Sequence, residues 1–353
     1  MKSTIALVMI VKNEERTLKR CLESAINYVD EVIIVDTGSS DNTKQIASDF
    51  GAKIFDYIWQ QDFAAARNFA LTKSTSEWNL ILDADEYISN DCERIIQDFI
   101  HLQIKVIGKV KRIDSFKGTD GINYEQSYIS RLIPKGYYYS GKIHEQIKSD
   151  LPRITVDIEV QHDGYYEHNK SERNIPILQT VIQENPSDPY YYYQIAKEYR
   201  GLEEHEQTFQ CLKQAYLLAK GTEPYFANIV INLLYAIIAS KHLEVGLSII
   251  ENEQSNVGHY PDFYFVSALY LLELILSDTK QYGEMLPLIE QFYQKAIEIG
   301  ESDLEGSVWG TGSFAAHHNL GVFYEVIGES AKATEQYKRA AEYGYEPSIQ
   351  RIV

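Results

Sequence analysis

Four short, uninterrupted apolar runs separated by helical stretches occupy the first 85 residues, and that alternation leaves few folds open. Residues 5–11 are continuously aliphatic, and Leu18, Cys21, Leu22 and Ala25 then recur at helical spacing between Glu14 and Tyr28. Glu31 to Asp36 reads as a buried strand, the Thr37-Gly38-Ser39-Ser40 turn follows, and Asp41 or Asn42 caps a helix running to about Phe50. Lys53 to Tyr57, Asp62 to Thr72 and Trp78 to Leu82 continue as strand, helix and strand, ending in Asp83-Ala84-Asp85. Strands apolar on both faces, each followed by a helix, imply a mostly parallel sheet covered on both sides. Ligands of such sheets bind beyond the carboxyl ends of the strands, where Asp36, Asp83 and Asp85 fall.

From Lys105 to about Gly164 the texture changes to alternating, tyrosine-rich segments punctuated by Gly118, Gly121, Gly136, Gly141 and Gly164, which predicts mixed or antiparallel strands and loops. After Lys170 the chain reads as helical to its end. Tyr192, Ile195, Ala196, Tyr199 and Ala215, and again Leu320, Gly321, Tyr324, Ala333, Tyr337, Ala340 and Pro347, follow the small and aromatic spacing of a tetratricopeptide repeat. Two domains result: 1–170, α/β, and 171–353, an all-α repeat module.

Charge separates the halves as well. The net charge of −18 comes mostly from the second half, which holds 25 acidic against 12 basic residues. A nucleic-acid surface is therefore not expected there. Cys21, Cys92 and Cys211 show no metal-ligand or disulfide spacing, which suits a reducing compartment. The apolar start ends at once in Lys12-Asn13-Glu14-Glu15-Arg16 with no small-residue cleavage site, so it reads as a first strand rather than a signal peptide. No window approaches the roughly 18 uncharged apolar residues of a membrane helix. A cytoplasmic protein is the expectation.

Asp83-Ala84-Asp85 is the sharpest chemical signal. Residues two apart at a strand end point the same way, so both carboxylates can face one ion. Mg²⁺ or Mn²⁺ prefers such oxygen ligands and completes its shell with substrate phosphates.

Val8-Met9-Ile10-Val11-Lys12-Asn13-Glu14-Glu15, Ile34-Val35-Asp36-Thr37-Gly38-Ser39-Ser40-Asp41-Asn42-Thr43, Asp62-Phe63-Ala64-Ala65-Ala66-Arg67-Asn68 and Leu82-Asp83-Ala84-Asp85-Glu86 together resemble the ordered motifs of family 2 glycosyltransferases with the Rossmann-like GT-A fold. Gly141-Lys142-Ile143-His144-Glu145, His162-Asp163-Gly164-Tyr165 and the repeats extend the likeness to the bacterial subgroup that includes sublancin-type peptide S-glycosyltransferases. The resemblance implies that Val11, Asn13, Glu14 and Asp36 bind the nucleoside, Asp36 accepting from the uracil ring. It implies that Arg67 reaches the diphosphate or orients Asp83, and that Lys170 and Arg173 hold phosphate. Asp83, Asp85 and His162 would ligate the Mg²⁺ or Mn²⁺ ion. Glu145 would be the general base of an inverting transfer, with His144 its rival. Bland alternatives stand beside these: a helix-dipole partner for Glu14, a turn cap for Asp36, a surface ion pair for Arg67 and a strand-end histidine for His162.

The implied function is hexose transfer from a UDP-sugar to a peptide or protein presented by the repeats, which could instead form a homodimer. A cell-surface glycan or lipid acceptor, or an inactive nucleotide-binding scaffold, are the alternatives. A nucleotidyltransferase would need a Gly-rich basic loop after the first strand, and Lys12-Asn13-Glu14-Glu15 stands there instead. Tyr190 to Tyr193 is expected to pack within a repeat helix. Lys105, Lys109, Lys111, Arg112 and Lys117 are expected to form a solvated strand face, and Trp309-Gly310-Thr311-Gly312 a turn.

Overall fold

The computed structural model describes residues 3–102, 104–118, 121–162, 170–302 and 307–352. Asp163, Gly164 and Tyr165 of the motif noted above lie outside them. The chain divides into two compact units, 1–177 and 178–353.

The first unit runs β1 (Ile5–Val11), α1 (Leu18–Ala25), β2 (Glu31–Asp36), α2 (Thr43–Asp49), β3 (Lys53–Asp56), α3 (Phe63–Lys73), β4 (Trp78–Ile81), β5 (Glu86–Ile88), α4 (Glu93–Ile100), β6 (Ile107–Gly118), β7 (Gly121–Pro134), β8 (Tyr139–Ser140), β9 (Gln146–Ile147) and β10 (Arg153–His162), with α5 (Ser171–Glu184) crossing the division. Eight strands form one sheet in the order β3-β2-β1-β4-β7-β6-β10-β5. The first four are mutually parallel, and β7 then adds antiparallel to β4. β6 returns antiparallel to β7, β10 lies parallel to β6, and β5 closes the edge antiparallel to β10. The continuous apolar runs are buried on both faces, as such runs demand. Leu7, Met9, Leu80 and Leu22 pack into the core on one side, and Val8, Ile33, Ile81 and Ala70 into that on the other.

Glu31 fastens the amino ends of these strands. Its Oε1 accepts from Thr75 N and Oγ1 and from Ser76 N and Oγ at 2.7–2.9 Å, and Oε2 accepts from Lys53 Nζ at 2.8 Å. Burial raises this carboxyl, but Lys53, Ser76 and Thr75 outweigh it and draw it from 4.5 down to about 2.

The second unit is helical: α6 (Pro189–Gly201), α7 (His205–Leu218), α8 (Phe226–Ser240), α9 (Gly246–Val257), α10 (Pro261–Ser277), α11 (Thr279–Tyr282), α12 (Leu286–Ile299), α13 (Phe314–Val326), α14 (Ser330–Ala341) and α15 (Glu346–Ile352). Asp188 caps α6 by accepting from Tyr190 N, with Pro189 in the first turn where its missing N–H costs nothing. Sequential helices pack as pairs, α6 on α7 and α13 on α14. Gly321 sits against the Tyr337 ring, where an added Cβ would approach Cδ1 to 2.7 Å. Among the described residues no helix is long and apolar enough to cross a membrane.

Two stability predictions follow from these contacts. A depressed carboxyl contributes stability that is present above its unfolded value near 4.5 and is lost as pH falls toward 2. Glu31→Gln should therefore be weaker than native by about 1–3 kcal/mol at pH 7 in urea denaturation, with the gap narrowing as pH drops from about 4.5 to about 2. Gly321→Ala, which drives a methyl into the Tyr337 ring, should cost about 1–3 kcal/mol in the same measurement, and Tyr337→Leu should relieve part of that loss.

Candidate active site

The carboxyl ends of β1, β2 and β4 hold the implied residues, and two separate arrangements stand there. At the β1/β2 end, Val11 pairs in register with Asp36, and its carbonyl accepts from Thr37 N and Oγ1. Asn13 adopts a positive φ of 56°, a conformation asparagine tolerates, and its Oδ1 accepts from Ser40 N at 2.8 Å while Ser39 Oγ receives its backbone N–H. Asp36 is 1% exposed; Oδ1 accepts from Gly38 N and Ser39 N at 2.9 Å, and Oδ2 has no hydrogen-bond partner. Glu14 accepts from Thr17 Oγ1 at 2.7 Å, and burial raises its carboxyl.

Beyond β4, ten charged side chains interlock. Asp62 caps α3 through Ala65 N at 2.8 Å, and this start sets Arg67 and Asn68 toward the strand ends. Arg67 Nη2 donates to Asp83 Oδ1 at 2.7 Å, and Arg67 Nε donates to Glu145 Oε1 at 2.5 Å. Asn68 clasps the backbone of Tyr139, donating to its carbonyl at 2.9 Å and accepting its N–H at 2.7 Å. Phe63 N meanwhile donates to Lys142 O at 2.8 Å. Three successive contacts from one helix thus fix the segment that carries His144 and Glu145. His144 itself has a φ of 52°.

Asp83 Oδ2 accepts from Arg131 Nη2 at 2.9 Å, and the same nitrogen donates to Glu86 Oε1 at 2.5 Å. Burial raises Asp83, but Arg67 and Arg131 outweigh it and hold the carboxyl well below its usual range. Burial raises Glu86 and prevails over Arg131 there. Asp85 faces elsewhere. Its Oδ2 accepts from Lys170 Nζ at 2.7 Å and lies 3.3 Å from His162 Nε2. His162 Nδ1 is 2.5 Å from Asp114 Oδ1, and Asp114 Oδ2 accepts from Arg112 Nε at 3.0 Å. The register explains this set, because His162 on β10 lies opposite both Asp114 on β6 and Glu86 on β5. Burial lowers His162, but Asp114 and Asp85 prevail and raise it to about 9. Arg173 lies over the Phe63 ring at 4.9 Å, and its Nε donates to Asn174 Oδ1 at 3.1 Å.

Asp85 and His162 fit a hard divalent cation. An imidazole whose other nitrogen is held by a carboxylate, as Asp114 holds His162, is how proteins orient a metal-ligating histidine. Among the described residues no three His, Cys, Asp or Glu side chains converge to form a complete cage, so phosphate oxygens of a substrate would have to finish the shell. Both oxygens of Asp83 are already taken by guanidinium groups.

Arg131, Glu86 and Asp114 had no role assigned from the sequence, and Arg112, expected on a solvated strand face, instead pairs with Asp114 within the cluster. Arg131 stands inside the largely apolar segment Ile129 to Ile133, and Asp114 directly follows the alternating segment Val110 to Ile113, so a charge in or beside such a run was the available signal.

Residues 6–152 match the model of Glycosyl transferase family 2. The first unit is a family 2 glycosyltransferase domain. Joined to tetratricopeptide-type helices, this glycosyltransferase domain has curated relatives of the same two kinds. A TPR repeat-containing protein of Synechococcus elongatus is 50% identical over 204 residues, covering 53% of this chain and 50% of that protein. The SPbeta prophage-derived glycosyltransferase SunS of Bacillus subtilis is 27% identical over 298 residues, covering 77% of this chain and 68% of that one. An uncharacterized glycosyltransferase of Rickettsia typhi is 37% identical over 93 residues, 26% of this chain and 32% of that one. The chain thus spans half the length of the Synechococcus relative.

The clasp of Asn68 on Tyr139 gives a direct test of the site's architecture. Asn68→Ala should speed hydrogen exchange of the Tyr139 amide by about tenfold, the equivalent of one lost hydrogen bond, and leave the β1–β2 amides protected.

Proposed function

We propose that this chain is a glycosyltransferase that moves a hexose from a nucleoside diphosphate sugar, a UDP-sugar, to a peptide or protein acceptor, with a divalent cation and with inversion at the anomeric carbon. The observation that carries the reading is that the carboxyl ends of one sheet's strands hold both a buried acceptor without a partner and, beyond β4, a cluster of paired charges. Asp36 offers a buried oxygen without a partner at the β1/β2 end, and Asp85, His162 and Lys170 gather beyond β4. A nucleoside diphosphate sugar needs both, an acceptor for a ring N–H and a cationic setting for its diphosphate.

In this reading Asp36 Oδ2 accepts from the uracil imide, Glu14 accepts from the ribose, and Val11 and Asn13 wall the nucleoside. Asp85 and His162 hold Mg²⁺ or Mn²⁺, which when bound supplies positive charge against the leaving diphosphate. Lys170 and Arg173 add donors to the phosphates. Asp83, with both oxygens bound by Arg67 and Arg131, serves the donor site by fixing its floor rather than by contributing a free ligand. The acceptor's oxygen or sulfur bonds to the anomeric carbon as the carbon–oxygen bond to the diphosphate breaks, and Glu145 takes the acceptor's proton. His144, its neighbour, is the second candidate base.

The acidic repeat unit would present the acceptor or pair with a second copy. Its likeness to the peptide S-glycosyltransferase subgroup supports the peptide class. Cys21, Cys92 and Cys211 are free thiols, which supports action in the reducing cytoplasm.

UDP release from a panel of UDP-sugars, with Mn²⁺ or with chelator, tests the reading. We expect release of UDP from one donor, abolished by chelator and by Asp85→Ala. Asp36→Ala should weaken UDP binding by about tenfold or more, as expected when one hydrogen bond to a charged acceptor is lost. Binding of no UDP-sugar by the native chain would overturn it.

A further inference from the structure

β7 contains an irregularity exactly one residue wide, and it delivers a buried cation to the site. Leu132 pairs with Gly108 across the β6–β7 ladder, whereas Ser130 pairs with Lys109, so Arg131 is the extra residue of a bulge. On the other edge of β7 the pairing with β4 stops at Leu80 opposite Leu132. Arg131 is therefore the first residue beyond the ladder on one side and the unpaired one on the other. Bulges re-aim a side chain in just this way. Gly108 permits the close approach, since a Cβ there would meet Leu132 Cβ at 2.8 Å.

The side chain so released is 7% exposed, and one nitrogen bridges Asp83 Oδ2 and Glu86 Oε1. Glu86, 1% exposed, accepts the Asp83 N–H through Oε2 at 2.9 Å, and Asp83 O accepts the Glu86 N–H at 3.0 Å. The turn from Asp83 to Glu86 is thus closed by its own backbone, by Glu86 and by Arg131. Asp85 lies inside that turn and faces Lys170 and His162.

We infer that Arg131 and Glu86 are positioning residues for the donor site: the bulge-borne guanidinium commits Asp83 to the protein and thereby holds the turn that presents Asp85 to a divalent cation and the diphosphate. The inference rests on the proposed function, and its test separates the two. A buried pair broken on one side is strongly destabilising, but replacing both members with apolar residues of similar size is often tolerated. The double variant Arg131→Met/Glu86→Leu is the central probe, compared with the native chain by calorimetric Mn²⁺ binding in the presence of UDP and by thermal unfolding.

The expected result is a folded double variant whose Mn²⁺ affinity in the presence of UDP falls 10- to 100-fold, the range seen when groups behind a metal ligand are removed. Arg131→Lys keeps the charge, but its nitrogen ends one atom short of the Arg131 Nη2 position and cannot meet both carboxylates at the native distances. It should weaken Mn²⁺ binding in the same range, with a lower unfolding temperature but a chain still folded at 25 °C, and so it serves where the double variant fails to fold. Native-like Mn²⁺ affinity in either folded variant would overturn the positioning role. Absence of Mn²⁺ and UDP binding in the native chain would instead overturn the function on which the inference rests.

Discussion

One guanidinium, that of Arg67, joins carboxylates that the chain supplies 16 and 78 residues away, and the organisation beyond β4 depends on that junction. A buried cation is tolerable only when paired and hydrogen-bonded, because taking it from water costs several kcal/mol. Arg67 meets that condition through Asp83 and Glu145 together, so the strand end and the His144–Glu145 segment cannot be placed independently of each other. Arg131 extends the same logic to Glu86, and Arg112 to Asp114. Five carboxylates and five basic groups alternate through the cluster, and nearly every charge is offset by one of opposite sign. Charges paired in this way form a prearranged field, and in the proposed reaction such a field would need no reorganisation as the diphosphate departs.

The parallel half of the sheet was legible because burial on both faces leaves an unmistakable mark. Ile5 to Val11 and Glu31 to Asp36 have no polar alternation to confuse them, and their ends put Val11 and Asp36 side by side. The repeat pattern was legible for a similar reason: a glycine at position 321 makes sense only if a large ring, Tyr337, packs on it. The positions beyond β4 were legible as motifs but not as a network. Lys170 meets Asp85 across 85 residues of sequence, and Arg131 meets Asp83 across 48. Such meetings are set by strand order and by a one-residue bulge, and neither leaves a local periodicity to read. Arg67 was the exception, since the resemblance to family 2 glycosyltransferases already implied that it reaches the diphosphate or orients Asp83.

The order β3-β2-β1-β4 also accords with the nucleotide site proposed at the carboxyl ends of these strands. The chain winds from β1 out to β3 and then crosses back to lay β4 on the other side of β1. Where the direction of winding reverses, the connecting loops part, and the crevice between them lies at the carboxyl ends of β1 and β4. Val11 and Asn13 leave β1 at one wall of that crevice, and Asp83 and Asp85 leave β4 at the other. In the proposed function, a nucleoside lodged against Asp36 would extend its diphosphate toward Asp85, His162 and Lys170 beyond β4. Topology sets the distance between the two halves of the site, and the charge network sets which side chains wait at its far end.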